Sequence, residues 1–353
     1  MQAGLYLTAT RGYGAREAQI CYERVESLCN SHRLVIPHSV LIGQWRYSLV
    51  TDKLSATMWI AKRIFSLAQE RNDTALMMGA YRALGTTVYF LGDFELAREY
   101  LTRGLQIWRS GDVQCQVEEV TAHPVACLYY SALVGWNFGE FASCQAAIAE
   151  AIALAKDLND IHGLAVSLYF AGVLAQLERN PVEVERVASN LIELSTRQNF
   201  ALWLACGTLL RGWARSVFGD IVEGISLIQE GIAGAHATGT MVFTPFWLAL
   251  KAEALHLADR TPESLEVIVE AEAAAERSEE RWLCAELHRL RGVFLAALGA
   301  EDAQIEASLC EAISTAKEEK SVSLAERVEA TYAEYRRQKA NGSGGRRFRL
   351  PLW

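Results

Sequence analysis

The stretch YRALGTTVYFLGDFELAREYLTRGLQIW, residues 81–108, carries a pattern that returns along almost the whole chain. Apolar residues run at helical spacing up to Leu91, Gly92-Asp93 breaks the run, and a second helical pattern follows with Leu96, Ala97, Leu101 and Leu105. This encodes a helical hairpin. Gly85 in the first helix, and Ala97 and Gly104 in the second, are small where two helix backbones approach closely, while Leu101 supplies the bulk between them.

The second-helix triplet recurs, with variations, at Ala18-Tyr22-Val25, Ala56-Ile60-Arg63, Cys144-Ile148-Ala151, Val184-Ala188-Leu191, Gly224-Ile228-Gly231, Ser264-Ile268-Ala271 and Ile305-Leu309-Ala312. Successive first members are 38, 41, 47, 40, 40, 40 and 41 residues apart. The first-helix column Gly85, Ala132, Gly172, Gly212, Ala252 and Gly292 keeps the same period after one step of 47. One hairpin buries only part of its apolar surface and must stack on the next. The small-large-small triplet is that of tetratricopeptide repeats, with a longer repeat than the roughly 34 residues usual there. The expected fold is all-α: a right-handed α-solenoid of about eight tetratricopeptide-like helical hairpins of period about 40, with a C-terminal capping helix.

Hairpins are expected at about 38–71, 81–108, 125–157, 162–197, 200–236, 245–277 and 281–318, and a last, charged helix at about 321–339. The irregular step coincides with the polar residues 110–124, read as a loop insertion. Residues 1–340 form one array on this reading, and 341–353, NGSGGRRFRLPLW, a flexible tail that is basic and apolar, because GSGG does not hold a helix. The chain opens inside a repeat, which raises the expectation of a preceding domain.

Apolar residues make up 51% of the chain and charged residues 22%, a folded composition. The net charge of −8 argues against a general phosphate-binding surface, so nucleic acid is not the expected partner. No apolar run reaches the roughly 18 residues needed to span a bilayer, and no membrane contact is expected. The 8 cysteines form no CxxC pair and read as small core residues. With no secretory leader at the start, the expected location is cytoplasmic.

Several phrases occur in the order seen in a known family: RGYGAREAQICYERVESLC, YRALGTTVYFLGDFELAREYL, ACLYYSALVGWNFGEF, WLACGTLLRGWARSVFGD and ERWLCAELHRLRGVFL, across residues 4–335. The chain thereby resembles the tetratricopeptide-type C-terminal region of bacterial multidomain proteins with a signalling ATPase, often preceded by a class III adenylate or guanylate cyclase. The resemblance implies a sensor or scaffold region that binds a protein or regulates an adjoining nucleotide-dependent domain, and it implies no catalytic residues here. The ATPase and cyclase parts would precede Met1.

Within the chain Gly12-Tyr13-Gly14 does not extend to GxGxxG, and no GxxxxGK[ST] occurs. None of the 7 histidines falls in a zinc-binding spacing, and no GxSxG elbow is present. No cofactor, metal or catalytic group is therefore assigned. The alternative is an all-α toroid hydrolase with paired acids, which a deep central cavity ringed by converging carboxylates would mark.

The expected partner is a protein or peptide, with an N-terminal ATPase or cyclase domain in the native context. First helices line the concave face of a helical array. One turn either side of each small first-helix residue lie Arg82, Thr86, Tyr89, Tyr129, Trp136, Tyr169, Trp213, Phe246, Glu253, His256, Glu286 and Arg289. These are the candidate binding residues, and the aromatic ones among them suit a peptide groove. Packing in the seams between repeats is the competing explanation for the aromatics, and pairing with nearby acids the competing one for Arg289 and Arg291.

Overall fold

The computed structural model describes residues 2–51, 53–111, 120–341 and 348–352, and the described residues hold 17 helices and no strand. The helices pair as eight antiparallel hairpins: α1 (Gln2–Arg11) with α2 (Arg16–Ser31), α3 (His38–Thr51) with α4 (Leu54–Arg71), α5 (Thr74–Phe90) with α6 (Phe94–Arg109), and α7 (His123–Asn137) with α8 (Phe141–Asp157). They continue with α9 (Ile161–Leu177) and α10 (Pro181–Gln198), α11 (Ala201–Phe218) and α12 (Ile221–Ala237), α13 (Thr244–Leu257) and α14 (Thr261–Ser278), and α15 (Cys284–Leu298) and α16 (Asp302–Glu318). The helix α17 (Val322–Ala340) closes the series. The array is an all-α solenoid. The heart of the loop insertion, residues 112–119, lies outside the described residues.

Local chemistry explains the boundaries. Asp73, Asp93, Asp160, Asn180 and Ser321 each accept a hydrogen bond from the amide three residues on, which caps the succeeding helix. Gly92 (φ 83°) and Gly219 (φ 103°) end first helices in the left-handed region, where a side chain would be strained. The small columns are contact points between helices. A Cβ on Gly85 would stand 2.8 Å from Leu101 Cγ, and one on Gly212 would stand 2.7 Å from the carbonyl oxygen of Gly224.

The superhelix closes on itself, which the local pattern does not announce. The amide of Met241 donates to Val50 O (2.8 Å), and that of Arg281 donates to Phe90 O (2.7 Å), each about five hairpins further along the chain. Gly14 lies against Gly239 so closely that a Cβ on Gly14 would stand 2.4 Å from the Gly239 carbonyl. Near the far end, Ser321 Oγ donates to Asn137 Oδ1 (2.7 Å) and Ser323 Oγ to Trp136 O (2.5 Å). The accessible surface of 14836 Å² is near the roughly 14,000 Å² of a globular protein of this mass.

Two expectations change as a result. The hairpin expected at roughly 281–318 starts its first helix at Cys284, three residues beyond Arg281, whose amide donates across the superhelical turn. Residues 348–352, expected to be loosely tethered, pack against α15 and α17 with Phe348, Leu350 and Leu352 buried. The intervening residues 342–347 lie outside the described ones.

Candidate interaction sites

Closure buries the first-helix face. Arg82, Thr86, Tyr89, Tyr129, Trp136, Tyr169, Trp213, Phe246, Glu253, Glu286 and Arg289 are all at most 3% exposed, and His256 is half-buried. The open aromatic groove is therefore not present: later hairpins and the segment around Tyr13 fill the space that it would need. These residues divide among separate environments. Tyr89 packs on Phe94, Tyr130 and Trp282, Phe246 packs on Phe243 and Trp282, and His256 Nδ1 lies 3.0 Å from Thr261 Oγ1.

The axis itself is nearly solid. Tyr13 reaches into it between Arg46, whose guanidinium lies 5.2 Å from the ring, and the rings of His162 and Trp203, both at 5.7 Å. Beside it remains a cavity of about 40 Å³, walled by Arg46, Arg82, Tyr129, Tyr169, Trp203 and Trp247 among others. That is room for about one or two waters. No carboxylate is among the described residues lining it, so the paired acids of a toroid hydrolase have no counterpart there. Asp160 is the nearby buried acid. It accepts from the amides of Ala122 (2.8 Å) and Gly163 (2.7 Å), while burial pushes its pKa up against these bonds. Burial and the charges of Arg46 and Arg82 hold His162 neutral, and its Nε2 accepts from the Trp203 indole at 2.9 Å.

Further along the axis the candidates Trp213, Glu253, Glu286 and Arg289 do converge, around a residue the register did not select. Arg179, in the turn between α9 and α10, donates to both oxygens of Glu253 at 2.8 Å and to Glu286 Oε1 at 2.6 Å. Arg289 grips Glu286 through Nε and Nη2 at 2.8 and 2.7 Å, and the Trp213 indole donates to Glu253 at 2.8 Å. Arg327 of α17 stands 3.6 Å from Glu286 and 5.3 Å from the Trp136 ring. Burial alone would raise the pKa of Glu286, but the guanidiniums of Arg289, Arg327 and Arg179 hold it down to about 2. The cluster ties the α9–α10 turn to α11, α13, α15 and α17 and is a lock between hairpins. It is not an open binding site.

Open grooves remain outside the axis, and one of them lies near the start of the array. Between α2, α3 and α4 is an open groove of about 470 Å³, with Ile20 and Trp59 on its walls at 54% and 65% exposure. Its rim is charged, with Arg16, Glu23, Glu26 and Arg63, and Arg63 pairs with Glu26 at 2.8 Å. At the other end, α15 and α17 seat residues 348–352 as an extended segment. Sequence reasoning missed the α2–α4 groove, and at the other end it selected Arg289 but not the segment that Arg289 holds. Trp59 lies on a second helix, outside the register searched, although an aromatic one residue before the large member of its triplet is a readable sign. Arg179 sits in a turn and carried no such sign.

Among the described residues no helix is long and apolar enough to cross a membrane, and no group of three or more His, Cys, Asp or Glu is placed to hold a metal ion.

The profile of the family described as anaphase-promoting complex subunit 5 matches residues 90–178 and 273–338, less than half of the chain. An uncharacterized protein of Rhizobium meliloti (strain 1021) is 21% identical over 327 residues, 92% of this chain and 32% of the relative. The chain thus spans about a third of that relative's length. Among solved structures, a tetratricopeptide repeat protein from Parabacteroides merdae ATCC 43184 is similar over 83% of this chain and 98% of that one, at 15% identity and a TM-score of 0.44. The human IFIT1 dimer with PPP-AAAA is similar over 93% and 71%, at 11% identity and a TM-score of 0.52. At 11% identity the second likeness speaks for the fold alone. With the 40-residue hairpin repeat, it marks the chain as a tetratricopeptide-like helical repeat region.

Proposed function

We propose that this chain is a non-catalytic protein-interaction scaffold, the sensor or scaffold region of a longer bacterial signalling protein of the ATPase and cyclase type, working in the cytoplasm. It meets its neighbouring domain through the groove between α2, α3 and α4. The observation that carries this reading is Trp59, an indole left 65% exposed opposite Ile20 in a groove with a charged rim. Tryptophan is the side chain most often found at the energetic centre of an interface, and here it stands with Ile20 and Ile60 among charged neighbours. The threefold greater length of the bacterial relative supports an adjoining domain as the occupant. The hydrolase alternative gains no support from the axial cavity, whose described lining holds no carboxylate.

The test is a photo-cross-linking amino acid placed at position 59, with position 193 on the outer face of α10 as the control. The expected result is a cross-link from 59 to a polypeptide segment outside residues 1–353, and none from 193. A silent position 59, or equal cross-linking at both, overturns the reading.

A further inference from the structure

The opposite end of the array holds a different site, independent of the α2–α4 groove. Residues 348–352, Phe-Arg-Leu-Pro-Leu, run extended with alternate side chains inward: Phe348, Leu350 and Leu352 are buried, while Arg349 and Pro351 face solvent. The array reads the backbone of this segment at almost every residue. Phe348 N donates to Ala296 O (3.0 Å). The Gln338 side-chain amide pairs with both backbone groups of Arg349, donating to its oxygen at 2.8 Å and accepting from its nitrogen at 3.1 Å. Arg289 donates to the carbonyl oxygens of Pro351 (3.3 Å) and Leu352 (2.6 Å). The ring of Phe348 meets Tyr335 edge-on at 5.0 Å.

Two features make this a built site. Arg289 is fixed by two bonds to Glu286 that do not involve the segment, so the donors that receive the peptide carbonyls are oriented before any peptide arrives. The backbone is held by side chains of fixed geometry, and the side chains of the segment enter on alternate positions. This is the division of labour by which proteins recognise extended peptides: backbone bonds for affinity, alternate pockets for specificity. Pro351 falls at an outward position, where its missing N–H leaves nothing unpaired.

We propose that the groove between α15 and α17 is a binding site for an extended peptide supplied by another protein, with apolar residues at three alternate positions and a proline before the last. Residues 348–352 are its resident occupant. A segment tethered in cis competes at an effective concentration of about millimolar, so the site opens to an outside peptide only when this segment is displaced.

The test uses the full chain carrying Leu350→Asp and Leu352→Asp, which releases the segment without removing it, and a fluorescein-labelled peptide of sequence RRFRLPLW. Fluorescence polarisation should show saturable binding to the double variant and binding at least tenfold weaker to the unaltered chain. A peptide with Asp at both leucine positions should not bind, and adding Gln338→Ala to the double variant should weaken binding by about tenfold. A double variant with an unchanged circular dichroism spectrum that binds neither peptide, or binds both equally, overturns the proposal. Should the double variant fail to fold, the single variant Leu350→Ala replaces it, because it weakens the tethered segment and leaves the groove unaltered. That variant should raise the affinity of the full chain for the labelled peptide and speed hydrogen exchange at the Arg349 amide, and no change in either overturns the proposal.

Discussion

At Trp213 the indole fills space between helices and donates to Glu253, so its removal leaves both a void and a weakened buried carboxylate. Trp213→Ala should lower stability by about 3–5 kcal/mol, as large aromatics in cores do. Urea denaturation checks this, and a loss below about 1 kcal/mol would return Trp213 to a surface role. Glu280 makes a prediction of a different kind. It is buried, accepts from Phe243 N, the Trp282 indole and Ser278 Oγ, and burial raises its pKa from the ordinary 4.5 to about 7. A folded pKa above the unfolded one means that stability is fully present below about pH 4.5 and is lost as pH rises toward 7. Glu280→Gln keeps an acceptor for the indole and the amide and removes the titration. Its stability relative to the unaltered chain should therefore rise by about 2–3 kcal/mol between pH 4.5 and pH 8. A difference that does not change with pH would show that Glu280 has no such shift. Glu286 acts with the opposite sign: its pKa of about 2 adds stability above pH 4.5 that fades as pH falls toward 2.

Among the elements, α11 and α12 show why the repeat was readable. A Cβ on Gly212 meets Gly224 O and Ile228 N, and one on Gly224 meets Gly212 O at 2.5 Å. These are backbone atoms that cannot step aside. Gly212→Leu should overpack the contact and reduce stability by about 1–3 kcal/mol, despite the gain in helix propensity of nearly 1 kcal/mol. At Gly172 the close neighbour is Leu210 Cδ1, the free end of a flexible side chain. Gly172→Ala should accordingly stay within about 0.5 kcal/mol of the unaltered chain, because propensity and crowding offset each other. Denaturation midpoints of the two variants separate these cases, and equal losses would contradict the distinction. The contacts of Gly85 with Leu101 and of Gly212 with Gly224 and Ile228 lie within one hairpin, between residues 12 to 16 apart, and so they print a periodic signature that gives the hairpins and most helix ends. The start of α7 at His123 falls two residues before the expected place because Pro124 suits a helix's first turn.

For the whole molecule the register told which residues face the axis, and the structure decides what the axis contains. Tyr129, Tyr169, Trp213 and Arg289 were expected on an open concave face and lie buried instead, in a superhelix closed by contacts between residues about 190 positions apart, such as Val50 with Met241 and Phe90 with Arg281. Those contacts join loop amides to carbonyls in the last turns of α3 and α5, all in ordinary sequence, and they leave no period to find. Gly14 against Gly239 is the exception with a visible residue type, since only glycine permits that approach. The seated segment at 348–352 was masked for a similar reason: GSGG announces loose chain, and nothing local announces that Arg289 and Gln338 receive the backbone of residues 349–352. Closure also changes the energetics, because hairpins that touch across a turn cannot open one at a time as in an extended array. The most direct measurement is hydrogen exchange at the amides of Met241 and Arg281, which lie in loops and have no partner within their own hairpins. The closed superhelix predicts that both exchange as slowly as the core amides of α5 and α13. Exchange at the rate of an exposed loop, with those helices still protected, would contradict it.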